Sequence, residues 1–472
     1  MAKNYAKILK AVLKQITPTA EEERKIKKIS QKVLRLVKKE AKKYKANALL
    51  AGSLTRDTWL REKLEFDVFI LFPEKMSKKR IEELGLKIAK KVVKKLEGSF
   101  KIEYAEHPYV SAEIEGVKVD IVPCYELKSL EKIKSAVDRT PFHVRYLEKN
   151  LPLKRAREVR LLKQFLKANE IYGADAKVQG FSGYVCELLI IKYKTFLDLI
   201  KAALKWKPGE IIDIENFYSK EDYPKLKAKF KNQIFILIDP VDKNRNAAAA
   251  LSPKNFFKFK KLAKSFIRKP NIDMFFKKPV KPLKEEEFVR KLRERETEII
   301  VIKFSRPKVV DDIIWPQLRK FAERIKSILH EYEFRVIGKD VYANENFCYV
   351  LLELEIWRLP EIEKRIGPIV FDLKGSENFI KKYKEIAKIG PYVEGNRWVV
   401  EIRRKFLTAK EKIIDSLSKP LEVLKAKGIP SYVACEISKK FEVFAGSEIV
   451  SLLKSSEFAI FLKKYFKKEK LI

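Results

Sequence analysis

Two carboxylates on one face of a short, otherwise apolar strand constrain this chain more than any other feature. Residues Glu65-Phe66-Asp67-Val68-Phe69-Ile70-Leu71-Phe72 have strand propensity throughout, and side chains two apart in a strand share a face. Glu65 and Asp67 therefore project together, while Phe66 and Val68 project oppositely. Such a pair repels itself unless something positive sits between its members, and a divalent cation is the natural candidate. Just upstream, Asn47-Ala48-Leu49-Leu50-Ala51 reads as a buried strand running into Gly52-Ser53. Ser53 is expected to cap a helical turn over Leu54 to Leu60, before a charged turn at Arg61-Glu62-Lys63. The N–H groups at such a helix start attract phosphate, and Arg56 adds a fixed positive charge there.

A third carboxylate is found in Val117-Lys118-Val119-Asp120-Ile121-Val122-Pro123, another β-patterned run. Asp120 alternates with Val119 and Ile121, so it shares a face with Lys118 and Val122. If this strand pairs beside the first, Glu65, Asp67 and Asp120 form a site for two Mg²⁺, the parts of a two-metal nucleotidyl-transfer centre. Metals ~3.5–4 Å apart can activate an attacking hydroxyl and stabilise the leaving oxygen of an in-line displacement. Each part alone has an ordinary explanation. A carboxylate on a half-exposed strand is usually just solvated, and Gly-Ser before a helix is common capping. Their order and close spacing favour the functional reading.

Composition narrows the partners. Lys and Arg number 103 against 64 Asp and Glu, a net charge of +39. That excess exceeds what solubility needs and points to an extended polyanion. Nucleic acid is favoured over membrane, because no apolar segment approaches the ~20 residues of a spanning helix. The N-terminal region is charged and amphipathic without an apolar signal core, so an internal, cytoplasmic location is expected. Cys124, Cys186, Cys348 and Cys435 are scattered, which suggests reduced thiols rather than a zinc site or a disulfide framework. A charged fraction of 35% with three Met resembles the usage of proteins working at high temperature.

At 472 residues the chain is too long for one ordinary core. Residues 1 to about 140 read as an α+β unit: a helical hairpin, the Gly-Ser step, a Lys-rich helix near Ser77–Leu96, and strands near 101–106, 109–115 and 117–123. From Lys154 to about Arg268 the pattern is mostly helical. Arg155–Asn169 carries an apolar stripe of Val159, Leu162, Phe165 and Leu166 beside a basic stripe of Arg160, Lys163 and Lys167. Tyr172-Gly173 reads as its C-terminal cap. A long run from Ser182 to Leu204 is capped by Ser182, and Ala247–Ala250 is a strong helix former. Pro270, Pro279 and Pro282 among lysines read as a linker over 269–284. Beyond it α+β patterning returns, with strands at Glu298–Phe304, Phe334–Ile337 and Phe347–Trp357 and a helix at Pro316–Tyr332. A sheet with helices on one face fits that pattern, and a hairpin is expected around Gly395-Asn396. Tyr392, Trp398, Phe406 and Tyr432 are expected mostly in cores.

Gly52-Ser53-Leu54-Thr55-Arg56-Asp57-Thr58-Trp59-Leu60 followed by Leu64-Glu65-Phe66-Asp67-Val68-Phe69 resembles the archaeal, class I CCA-adding enzymes, which are tRNA nucleotidyltransferases. Arg139-Thr140-Pro141-Phe142-His143-Val144, Gly180-Phe181-Ser182-Gly183-Tyr184 and Asp239-Pro240-Val241-Asp242 with Arg245-Asn246-Ala247-Ala248-Ala249 resemble further family blocks, in family order. The resemblance implies a multidomain α+β fold: a polymerase beta-like nucleotidyltransferase head over 1–150, a helical neck over 151–268 that recognises the nucleotide base, the linker, and an α+β body and tail over 285–472. It implies that Glu65, Asp67 and Asp120 bind two catalytic Mg²⁺ and that Ser53 and Arg56 hold the triphosphate. His143, Lys163 and Tyr172 match further nucleotide-binding positions, and Arg245 matches an arginine that helps read the base. Without the resemblance, Lys163 would be a solvated lysine, and His143 and Tyr172 packing or capping residues.

The implied activity is addition of C, C and A to tRNA 3′ ends from CTP and ATP, with body and tail gripping the acceptor arm and elbow. A homodimer is compatible with the sequence, which does not fix the oligomeric state. Cytosine and adenine each present a ring-nitrogen acceptor beside an exocyclic amino donor, whereas uracil and guanine present a ring N–H beside a carbonyl. Arg245 can supply only donors, so the matching acceptor must come from elsewhere. Two other readings stay open: a poly(A)-polymerase-like or oligoadenylate-synthetase-like transferase, and a catalytically silent tRNA-binding protein.

Overall fold

A computed structural model describes residues 2–61, 64–104, 107–276 and 278–467. The charged turn expected at Arg61-Glu62-Lys63 therefore lies in part outside the described residues, as does the end of the strand expected at 101–106. The chain divides into two compact units between Pro279 and Val280.

The first unit opens with α1 (Ala2–Ile16) and α2 (Ala20–Ala41). Thr19 and Glu22 start α2 with a reciprocal capping box. Next come β1 (Asn47–Ala51), β2 (Glu65–Pro73), α3 (Lys78–Lys95), β3 (Ser99–Tyr104), β4 (Pro108–Ile114) and β5 (Val117–Glu126). They form a five-stranded sheet in the order β1-β2-β5-β4-β3. Only β2 and β5 pair in parallel, which the intervening helix α3 permits. Helices α2 and α3 cover the face built from Phe66, Val68, Ile70, Val119 and Ile121. On the other face, Phe69, Leu71, Val122 and Cys124 pack against Val144 of α4 (Thr140–Asn150). Alternation along β2 puts Glu65 and Asp67 on this second face, toward its start.

Next come α5 (Ala156–Ala168), α6 (Gly183–Tyr193), α7 (Phe196–Lys205), β6 (Glu210–Ile212), α8 (Tyr223–Lys229), β7 (Phe235–Asp239), β8 (Asp242–Asn246) and α9 (Pro253–Arg268), most of which build a second core, while Leu226 of α8 packs apart from it with Phe230, Ile236 and Ile238. Leu162, Phe165, Leu189, Phe196, Phe256 and Phe266 lie at the centre of the second core. Helix α1 belongs to this core through Tyr5, Val12 and Ile16, and the Tyr5 hydroxyl donates to the Ile267 carbonyl at 2.7 Å. The helices of the expected N-terminal hairpin thus serve different cores. The stretch read as a linker also starts inside this one: Ile272–Phe275 is a 3₁₀ turn, Phe275 is fully buried, and Gln164 donates to its carbonyl at 2.6 Å.

Several local expectations are corrected. Ser53 does not cap a helix: it is the first residue of the 3₁₀ turn Ser53–Arg56, entered from Gly52 at φ +84°. Residues Ser182–Leu204 form two helices, broken at Lys194 (φ +73°) and restarted where Thr195 accepts from the Asp198 N–H. Tyr172-Gly173 does not cap α5, which ends at Ala168; Tyr172 instead bridges to Phe181. Ala247–Ala250 forms a turn, because the buried Asn246 side chain takes the N–H groups of Leu237 and Ala248 and donates to the Phe235 carbonyl.

The second unit contains α10 (Glu285–Arg295), β9 (Glu298–Ser305), α11 (Asp311–His330), β10 (Arg335–Ala343), β11 (Phe347–Ile356), β12 (Ile362–Ile369), α12 (Leu373–Tyr383), β13 (Ala387–Glu394), β14 (Arg397–Arg403), α13 (Ala409–Leu417), α14 (Leu421–Ala426), α15 (Ser431–Ile437), β15 (Phe441–Ala445) and α16 (Ser456–Phe466). An antiparallel sheet runs β10-β11-β9-β15. Helices cover both its faces, not one. Ile299, Val301 and Leu351 pack against Phe288 of α10 and Leu462 of α16, while Phe304 meets Phe321 of α11 on the other side. A smaller sheet, β12-β14-β13, carries the expected hairpin at Gly395-Asn396. Tyr392, Trp398 and Phe406 are half-buried, and Tyr432 is exposed. All four cysteines are unpaired. Among the described residues no helix is long and apolar enough to cross a membrane.

Candidate active site

Parallel pairing of β2 with β5 sets Asp67 directly opposite Asp120 and Glu65 opposite Lys118. Paired residues share a face, so the three carboxylates gather at one end of the sheet. Lys118 Nζ stands 3.7 Å from Asp120 Oδ2, while Asp120 Oδ1 is buried without a hydrogen-bond partner. The backbone turn comes very close: a Cβ on Gly52 would lie 2.7 Å from Asp67 Oδ2, so only glycine fits there. Burial first, then the charges of Asp120 and Glu65, push the Asp67 carboxyl up to about 7, with Lys118 and Arg56 opposing. Tyr109 on β4 feels the same environment, and its hydroxyl is pushed up to about 12 by burial and by Asp120.

This crowding makes a testable statement about stability. Asp67 has a folded pKa above its unfolded value of ~3.9, so the folded state holds its proton longer. Its contribution is full below about pH 4 and is lost as pH rises to about 7, by at most about 1.4 kcal/mol per pH unit. In chelator, Asp67→Asn should therefore gain stability over wild type as pH rises through that window. Identical denaturation midpoints for the two proteins at pH 5 and pH 8 would contradict it.

Beside the carboxylates lies a buried cluster of cations. Arg56 is 7% exposed and donates through Nη2 to Glu187 Oε2 at 3.0 Å. Lys163 is 3% exposed, so the basic stripe predicted for α5 does not face solvent. Its ammonium donates to Thr58 O and Thr58 Oγ1, both at 3.1 Å, and stands 3.6 Å from Glu187 Oε1. The Thr58 hydroxyl donates to Glu187 at 2.5 Å. Burial holds the lysine pKa down while Glu187 opposes. Arg160 is buried as well, donating to the Trp59 carbonyl and pairing with Asp57. A Cβ on Gly183 would lie 3.1 Å from the Tyr172 hydroxyl and 3.7 Å from Lys163 Nζ, so both meet at the start of α6. Ser182 caps that helix. Burial keeps the Tyr172 hydroxyl protonated at any ordinary pH.

A second group forms around Asp239, at the end of β7. His143 Nε2 lies 3.0 Å from Asp239 Oδ2, and Arg245 Nη1 donates to the same oxygen at 2.6 Å. Arg139 pairs with Asp242 at 3.2 Å, so the blocks containing Arg139 and Asp239 meet in space. Asp239 and Tyr184 fall within the sequence motifs but have no role assigned by them, and Glu187 falls outside every motif. The one signal for Glu187 was a charge inside the apolar run Val185–Ile191.

A glycine-led turn beside clustered carboxylates on a parallel strand pair is the layout of a nucleotidyltransferase. Family models match in three blocks: a nucleotidyltransferase domain at residues 26–143, a tRNA nucleotidyltransferase second domain at 157–276 and a CCA-adding enzyme C-terminal domain at 295–446. The CCA-adding enzyme of Methanosarcina acetivorans is 38% identical, over 96% of this chain and 97% of its own. That of Archaeoglobus fulgidus is 38% identical over 94% and 95% respectively. That of Methanocaldococcus jannaschii is 42% identical over 80% and 84%. The chain belongs to the CCA-adding enzyme family.

Proposed function

We propose that this chain adds C, C and A to tRNA 3′ ends, and repairs them, from CTP and ATP without a nucleic-acid template. The observation that supports this most is the register of Asp67 on Asp120 beside the buried Arg56–Glu187–Lys163 cluster. Among the described residues no three His, Cys, Asp or Glu side chains form a self-sufficient metal cage. The donor set nevertheless fits Mg²⁺, which binds through few carboxylates and completes its shell with water and substrate phosphate. The orphaned Asp120 Oδ1 and the mutual repulsion felt by Asp67 both favour a cation there. Glu65, Asp67 and Asp120 would hold it, in two copies in this reading, and it would supply Lewis-acid stabilisation of phosphoryl charge.

The chain's own groups do the rest. Ser53, Arg56 and Lys163 bind the triphosphate, and Tyr172 donates from a hydroxyl that stays protonated. His143 and Arg245 bind nucleoside and base. The terminal ribose hydroxyl attacks the α-phosphate, and pyrophosphate leaves. Residues 285–472 grip the acceptor arm and elbow, a role in keeping with the match of 295–446 to the CCA-adding enzyme C-terminal domain. The reading includes a cytoplasmic location. It also includes a homodimer, favoured by the strongly exposed Ile366, Phe371 and Leu373; sedimentation at the mass of one chain would refute it.

Incubation with tRNAs shortened stepwise at the 3′ end should give C, C and A in order and then stop. A long tail would favour a poly(A)-polymerase-like enzyme, and absence of pyrophosphate release would establish a silent tRNA-binding protein. Affinity for tRNA should fall steeply with salt, by a log–log slope of roughly 0.7–0.9 per phosphate contact. A flat salt dependence would contradict the basic grip.

A further inference from the structure

We propose that Asp239 is a positioning residue for nucleotide selectivity, fixing the orientation of Arg245 and His143. This rests on the reading above, in which Arg245 faces the incoming base. Asp239 is fully buried at the end of β7. Its Oδ2 takes Arg245 Nη1 at 2.6 Å and His143 Nε2 at 3.0 Å. Its Oδ1 takes the Tyr184 hydroxyl at 2.9 Å and the Val241 N–H at 3.1 Å. An ionised carboxylate offers about four lone-pair sites, so none is left for a substrate. Asp239 can act only through the groups it holds.

Those groups come from separate elements: His143 from α4, Tyr184 from α6 and Arg245 from β8. His143 is fixed by its edge on Asp239 and by its face on Tyr184, with ring centroids 4.1 Å apart. The far side of the β7–β8 turn is pinned where Arg139 meets Asp242. Burial alone would push the Asp239 carboxyl up, but the bonds from His143 and Val241 and the Arg245 charge outweigh it and hold it at about 2. It therefore stays charged at any working pH. Arg245 is tied through one nitrogen, and its side chain remains 37% exposed, so the other N–H groups are free to meet a ligand.

Selectivity follows from that fixed plane. A guanidinium that cannot turn offers its donors to the ring-nitrogen acceptor of cytosine or adenine. Against uracil or guanine the same donors meet a ring N–H, which they repel. A guanidinium released from Asp239 can swing toward the neighbouring carbonyl of uracil or guanine, and the rejection weakens.

Asp239→Asn replaces one oxygen by an amide that points donors at donors. The preference for CTP over UTP, read as a ratio of kcat/KM on tRNA lacking CCA, should fall by about 10-fold. The KM for tRNA should not change. Because Asp239 acts through Arg245, Asp239→Asn with Arg245→Ala should discriminate no worse than Arg245→Ala alone. If Asp239→Asn does not fold, Tyr184→Phe removes one bond to Asp239 and keeps the stacked ring, and a smaller drop is expected. Wild-type discrimination in the folded variant overturns the proposal, as does a double variant distinctly less selective than Arg245→Ala. A wild-type protein that adds no nucleotide at all removes the underlying reading, and this inference with it.

Discussion

Asp67→Ala is expected to abolish nucleotide addition, lowering kcat/KM by roughly 10³-fold or more, because a bound cation supplies several kcal/mol and each ~1.4 kcal/mol is tenfold. Asp67 stands opposite Asp120 and its Oδ2 is packed under Gly52. Asp67→Asn separates charge from shape: it keeps the packing against Gly52 and removes the anion. It should lose nearly as much activity as Asp67→Ala while relieving the repulsion with Asp120 and Glu65. Binding of tRNA should be unaffected in both if, as proposed, the acceptor is held by other parts of the chain. Measured by single-turnover incorporation of labelled CTP, activity within about tenfold of wild type in either variant would remove Asp67 from the metal site.

The carboxylate geometry was legible because strand alternation is local: Glu65, Asp67 and Asp120 each project as period two requires. What joins them is the parallel β2/β5 register, a contact between distant segments that no local pattern fixes. The family resemblance carried that step. Lys163 shows the opposite case. Helical periodicity placed it with Arg160 and Lys167 on a basic stripe, and a charged stripe ordinarily faces water. Its partner Glu187 lies on another helix, and only their meeting makes a buried lysine tolerable.

Fold-level misreadings have similar causes. The alanines at 247–250 have high helix propensity, yet the Asn246 side chain occupies the N–H groups of Leu237 and Ala248 and forces a turn. Tertiary hydrogen bonds there outweigh a preference of a few tenths of a kcal/mol per residue. The break at Lys194 did leave a trace, since Thr195 with Asp198 is a capping pair, but the uninterrupted apolar content on both sides hid it. In the second unit, Ile299-Ile300-Val301-Ile302 is apolar at consecutive positions. A strand covered on both faces reads that way, and the helices on both sides follow from it.

Glu187 should prove indispensable to the folded first unit, although no motif singles it out. It is 2% exposed and receives Arg56 at 3.0 Å, Thr58 at 2.5 Å and Lys163 at 3.6 Å. Glu187→Ala would leave two buried cations facing each other without an anion, a change that costs about 3–5 kcal/mol. The thermal midpoint should fall by roughly 10 °C, given about 2–4 °C per kcal/mol for units of this size. Glu187→Gln preserves volume and the bond to Thr58, so its loss should be smaller. Two results would count against the assignment: an unchanged midpoint for Glu187→Ala, or strict additivity with Lys163→Met, since residues sharing a buried charge network must couple. The same carboxylate decides how firmly Arg56 and Lys163 are held before a triphosphate arrives. Its removal should therefore raise the KM for CTP even in samples cold enough to remain folded. That loss should persist at saturating tRNA if, as proposed, those cations bind the triphosphate.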